Sequence, residues 1–133
     1  MYQRIVLAYD GSVEGRTALR EGAMLAMRLR AQVFLLSVAA ETPGIRLAEA
    51  AYAGVIAHEQ ATYRAVLEEG VTRLRQLGLE PVAELRSGEP AAEIAAFTQQ
   101  VAADLLVVGH RHRSLLDRWW AGSSGAYLMD HIN

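Results

Sequence analysis

Short, unbroken apolar runs alternate along this chain with longer stretches of helical periodicity. Ile5-Val6-Leu7-Ala8-Tyr9 ends at Asp10-Gly11-Ser12. From about Val13 to Arg30 a helical pattern follows, with Leu19, Gly22, Ala23, Ala26 and Leu29 on one face. Val33-Phe34-Leu35-Leu36, within Gln32–Val38, is again continuously apolar. A strand with one face in water alternates apolar and polar residues, whereas a continuous run marks a strand buried on both faces. Parallel sheets covered by helices bury their strands in this way.

The rest of the chain keeps the alternation. Residues 39–57 are ambiguous between helix and loop, with Pro43-Gly44 as a turn signal. A helix is predicted over about His58–Leu77, with Tyr63, Val66, Leu67, Val71, Leu74 and Leu77 as its apolar stripe and Gly78 as its stop. Glu69 and Arg73 stand in the favourable i,i+4 order on the side assigned to solvent. Pro81–Arg86 reads as a weaker strand whose proline points to a sheet edge. Pro90 opens a helix with Ile94, Phe97 and Val101 inward. Leu105–Val108 is a fourth strand and runs into Gly109. A polar loop over 110–121 then precedes a last helical turn or two from Ser123, and no fifth strand is expected after it. Met24, Met27, Tyr52 and Tyr63 read as packing residues. Strands alternating with helices imply a three-layer α/β fold built on a parallel sheet with right-handed crossovers. The 133 residues fit a single domain spanning 1–133.

Composition narrows the chemistry. All thirteen basic residues are arginine, so P-loop lysine and Schiff-base chemistry are excluded. Cysteine is absent, which removes disulfides, thiolate nucleophiles and cysteine-ligated metals. A net charge of −2 argues against a general nucleic-acid binder. No apolar stretch approaches the roughly 20 residues that cross a bilayer, and the first residues do not resemble a signal peptide. The expected setting is cytoplasmic, away from the membrane.

In parallel α/β sheets, ligands bind at the C-terminal strand ends where strand order reverses. Two segments at such ends carry candidate chemistry. Asp10-Gly11-Ser12 is either a helix-capping turn, worth roughly 1 kcal/mol, or a place where the Asp10 carboxylate accepts hydrogen bonds from hydroxyls such as those of a ribose. Gly109-His110-Arg111-His112-Arg113, with Arg118 and Gly122-Ser123-Ser124-Gly125 beyond it, is either a solvated basic loop before a serine-capped helix or a phosphate site. For the latter, small residues admit a phosphate to the N–H groups of a helix start. His110 and His112 form half a metal site, and without cysteines no metal is assigned.

Ala8-Tyr9-Asp10-Gly11-Ser12, Gly-Glu-Pro-Ala-Ala-Glu-Ile at 88–94 and Ala-Asp-Leu-Leu-Val-Val-Gly at 103–109 together resemble the universal stress protein family across essentially the whole chain. Its nucleotide-binding members have a phosphate loop Gly-x2-Gly-x9-Gly-Ser/Thr. Here Gly109, His112 and Gly122-Ser123 fall at that spacing, with histidine in place of the second glycine. The resemblance implies strand order 3-2-1-4-5, a homodimer, and ATP or another adenine nucleotide, with or without Mg²⁺, in the crevice. By position it implies Ala8, Tyr9 and Asp10 beside the adenosine, with Asp10 on the ribose, and the Val38 backbone at the adenine. Val108 and Gly109 would border ribose and phosphates, and Arg111, His112, Gly122, Ser123 and Ser124 would line the phosphate path. A Cβ at His112 is costly wherever the backbone must take positive φ, although histidine tolerates that region better than most residues. The function so implied is nucleotide sensing or regulation in a stress response. The alternatives are a nucleotide-free dimer acting through a protein partner and a slow ATPase, for which no second carboxylate organises a metal.

Overall fold

The computed structural model describes residues 3–40, 53–108 and 127–130. Five strands, β1 (Arg4–Ala8), β2 (Gln32–Ala40), β3 (Val82–Gly88), β4 (Leu105–Val108) and β5 (Tyr127–Asp130), form one sheet. Their order is β3-β2-β1-β4-β5, and every neighbouring pair is parallel. Among the described residues, three helices link the first four strands: α1 (Val13–Leu29), α2 (Ala53–Gln76) and α3 (Pro90–Gln100).

The continuous apolar runs are buried on both faces. Ile5, Leu7 and Tyr9 of the first run, with Val33, Leu35, Leu105 and Val107, pack against Ala18, Leu19, Ala23 and Ala26 of α1 and Leu67 and Leu74 of α2. The alternate residues Val6, Phe34, Leu36, Leu106 and Val108 pack on the opposite face against Ile94 and Phe97 of α3. Phe34 and Phe97 meet edge to face with centroids 6.3 Å apart, a geometry that aromatic quadrupoles favour.

Local chemistry sets the boundaries. Ser12 caps α1, its side chain accepting from the Gly15 N–H at 2.9 Å. Glu89 caps α3 in the same way, accepting from the Ala92 N–H at 2.7 Å, with Pro90 just inside the helix. Gly78, at φ +92°, stops α2, because the left-handed region is open to glycine without Cβ strain. At the opposite end of the sheet, the Asp104 carboxylate accepts from the N–H groups of Gln3 (2.7 Å) and Arg4 (2.8 Å). These bonds hold its carboxyl below the usual range, that from Gln3 contributing most. The Asp104 N–H in turn donates to the Arg4 carbonyl at 2.8 Å, fixing the register of β1 against β4.

Three expectations are corrected. Residues 127–130, expected within a last helical turn or two from Ser123 with no fifth strand beyond, are β5, in register with β4 from Leu105↔Tyr127 to Val108↔Asp130. A four-residue segment, Tyr-Leu-Met-Asp, is too short to show a periodicity of its own, and the open edge of β4 decides its conformation. Helix α2 begins at Ala53, absorbing part of the ambiguous segment. Met24 and Met27 are 48% and 44% exposed, on the outer side of α1, rather than packing residues.

Gly22 shows how closely α1 lies on the sheet. A Cβ there would sit 2.5 Å from Leu7 Cδ2, and Leu7, at 1% exposure, has nowhere to turn. Gly22→Val is expected to cost about 1–3 kcal/mol through overpacking. In urea denaturation this appears as a lower midpoint at unchanged slope; an unchanged midpoint would show that the helix yields freely.

Candidate functional site

The strand order reverses between β1 and β4, so the crevice that parallel α/β sheets offer to ligands lies beyond Ala8 and Val108. These two residues are register partners. Both belong to the α3 face of the sheet, as does Val38, two residues past the Leu36 that pairs with Ala8. Three of the sequence-predicted residues therefore share one face at one end of the sheet. Gly109, Arg111, His112, Gly122, Ser123 and Ser124 lie outside the described residues.

Tyr9 follows strand alternation to the other face. Its ring is 2% exposed, packed against Gly70 of α2, where a Cβ would fall 2.9 Å from Tyr9 Cδ2. Its backbone is held as well: the Tyr9 N–H donates to the Leu36 carbonyl (2.9 Å), and the buried Ser37 hydroxyl donates to the Tyr9 carbonyl (2.8 Å). The end of β1 is thereby anchored to β2, one residue before Asp10.

Asp10 is exposed at the strand tip. Its Oδ1 accepts from the Ser12 N–H (2.9 Å) and the Ser12 hydroxyl (2.5 Å), and the same hydroxyl accepts from Gly15. The two readings of this tripeptide are thus compatible: Ser12 caps the helix and Oδ1 orients the turn. Oδ2 has no hydrogen-bond partner among the described residues. Gly11 makes the bend at φ +81°, and Gly15 leaves room for the carboxylate, since a Cβ there would approach Oδ1 to 2.6 Å. Gly15 and Ser37 escaped the sequence reading. The lone hydroxyl at the end of an apolar strand was the available signal for Ser37.

A second charged group lies behind this turn. The Tyr9 hydroxyl donates to Glu69 Oε1 at 2.6 Å, and Arg73 Nε and Arg16 Nε approach the same oxygen at 3.0 and 3.5 Å. Glu69–Arg73 is therefore the expected helical pair, but it is tied to the core rather than standing free in solvent. The Tyr9 hydrogen bond leads in holding the Glu69 carboxyl below its usual range, followed by that from Arg73. Burial, with the Glu69 hydrogen bond second, pushes the Tyr9 phenol up. A depressed carboxyl stabilises the fold above the unfolded carboxylate range and loses that contribution as pH falls through its folded value. A raised phenol contributes below the unfolded tyrosine range and loses it as pH rises. Tyr9→Phe is expected to move the Glu69 titration, followed by carboxyl carbon NMR, back toward the ordinary range. The stability difference between parent and variant should shrink as pH falls through the folded Glu69 value; a Glu69 titration unchanged by the variant would contradict the bond's role.

Comparison with known proteins agrees with this architecture. A universal stress protein of Methanocaldococcus jannaschii, MJ0531, is 27% identical over 124 residues, covering 92% of this chain and 73% of its own. Among solved structures, the hypothetical protein MJ0577 superimposes with a TM-score of 0.83 at 18% identity, covering 100% of this chain and 97% of its own. A universal stress protein of Archaeoglobus fulgidus in complex with dAMP (TM-score 0.69, 22% identity, 96% of each chain) shares the fold. So do one in complex with cAMP (0.72, 19%, 97% and 96%) and one from Arabidopsis thaliana with AMP bound (0.70, 17%, 98% and 92%). The model of the universal stress protein family matches residues 1–133, and the chain belongs to that family.

Proposed function

We propose that this protein binds an adenine nucleotide at the C-terminal ends of β1 and β4 and serves as a sensor or regulatory module in a stress response, as a homodimer. The observation that carries the reading is the Asp10 carboxylate. It is fixed through Oδ1 by Ser12, is given space by Gly15, and keeps Oδ2 without a partner among the described residues, at the switch point of the sheet. An oriented carboxylate with an oxygen in hand accepts hydrogen bonds from the vicinal hydroxyls of a ribose. Ala8, Val38 and Val108 supply the apolar surface beside it on the α3 face. The cAMP, dAMP and AMP complexes of structural relatives support the choice of ligand class. In this reading the phosphates lie along Gly109, Arg111, His112, Gly122, Ser123 and Ser124, and any Mg²⁺ arrives on the nucleotide's phosphates.

His112 at the second glycine position of the phosphate loop favours a second reading, a family member without nucleotide that acts through a protein partner. Titration calorimetry of AMP, ADP and ATP, with and without Mg²⁺, separates the two. Saturable heat is expected from protein freed of carried-over nucleotide, with affinity about tenfold to a hundredfold weaker in Asp10→Ala, the loss of a charge-assisted hydrogen bond. Absence of heat from folded protein at high concentration would overturn the nucleotide reading in favour of the partner-binding one.

A further inference from the structure

The face of the sheet turned away from Ala8, Val38 and Val108 carries a cavity of about 330 Å³ between α1 and α2. Arg16, Thr17, Leu19 and Arg20 of α1 line it on one side, and Arg73, Gln76 and Leu77 on the other. Its size lies at the lower end of the range of small-molecule sites. None of its lining residues is acidic.

The charges within it are unevenly matched. Arg16 and Arg73 both approach one carboxylate oxygen of Glu69, which also accepts from the Tyr9 hydroxyl. A guanidinium offers five N–H donors, so one shared carboxylate leaves donors on both arginines unused. Arg20 has no ion-pair or hydrogen-bond partner among the described residues. Two guanidiniums on α1 and one on α2 thus line the cavity, with Glu69 the carboxylate that pairs with Arg16 and Arg73 among the described residues. The Thr17 hydroxyl donates back to the Val13 carbonyl (3.3 Å), while the Gln76 amide adds a further donor. Leu19, 4% exposed, and Leu77, 36% exposed, give the cavity an apolar floor and lip.

We propose that this α1–α2 cavity is a second ligand site, independent of the nucleotide reading, which takes a small organic anion: a carboxylate or phosphate ester carried on an apolar body. Arg20 binds the anionic group, Arg16 and Arg73 supply the remaining donors, and the leucines cover the body. Fork-shaped guanidinium donors match carboxylate and phosphate oxygens in pairs, as an ammonium does not. The apolar body distinguishes the ligand from a free inorganic ion, which would leave Leu77 wet.

The test is a titration of the full chain with benzoate and with phenyl phosphate, followed through the arginine Nε–H signals, with phenol as the uncharged control. Saturable shifts centred on Arg16, Arg20 and Arg73 are expected, with affinity about tenfold weaker in Arg20→Gln and unchanged in Asp10→Ala. The stronger of the two probes tells whether carboxylate or phosphate is preferred. Arg20 is exposed and away from the core, so its substitution leaves the fold intact. Shifts that rise linearly without saturating, shifts confined to arginines outside the cavity, equal binding of phenol, or an affinity unaffected by Arg20→Gln would each overturn the proposal.

Discussion

Everything in this molecule follows from strands that have no solvent side. Because β1, β2 and β4 are apolar at successive positions, both faces of the sheet must be covered, and helices must lie on each. Ile5, Val6 and Leu7 are consecutive and at most 1% exposed, which only a three-layer arrangement permits. Small residues complete the condition. Gly22 and Gly70 let α1 and α2 approach the sheet so closely that Leu7, Leu35 and Tyr9 fill the space a side chain would need. With the faces closed, the surface open to a ligand is that of the strand ends and the outer sides of the helices.

At the end of β1, the bonds that cap α1 and those that orient the Asp10 carboxylate share residues without competing. The Ser12 hydroxyl takes the Gly15 N–H as a cap and donates to Asp10 Oδ1, so the bonds that start α1 also orient the carboxylate. The cost of placing a charge at the strand tip is offset by the N-terminal helix field and by the Ser12 donors. Ser37 does the corresponding work from β2: its hydroxyl holds the Tyr9 carbonyl, and the polar group that a buried serine would otherwise leave unsatisfied becomes a tie between strands.

The fold was largely legible because hydrophobic continuity and periodicity are local signals. The strands beginning near Arg4, Gln32, Val82 and Leu105, the edge position of β3, the Ser12 cap, the helix start at Pro90 and the stop at Gly78 all follow from residues within one or two turns of each other. What escaped depends on contacts distant in sequence. Tyr127–Asp130 becomes a strand because β4 offers it an edge, and no property of four residues announces that. Met24 and Met27 are apolar and fall on a helix, but α1 meets the sheet through alanines and glycine, which leaves the longer methionines outside. At the site, Asp10 could be named from a strand-turn-helix pattern. The space that Gly15 leaves for its carboxylate exists only once the turn has formed.

Glu69 illustrates most directly how a surface pattern changes meaning in three dimensions. Its i,i+4 partner Arg73 is a local feature, and an exposed helical ion pair of this kind contributes little. The hydrogen bond from Tyr9 spans sixty residues and ties that surface pair to the end of β1. Strand alternation then sets its reach: Tyr9 points toward Glu69 and the arginine-lined cavity, while its neighbours Ala8 and Asp10 belong to the α3 face and the strand tip. Two consecutive peptide units thus separate two surfaces of different chemistry. The backbone bonds of Tyr9 with Leu36 and Ser37 hold the phenol and the start of the Asp10 turn in place together.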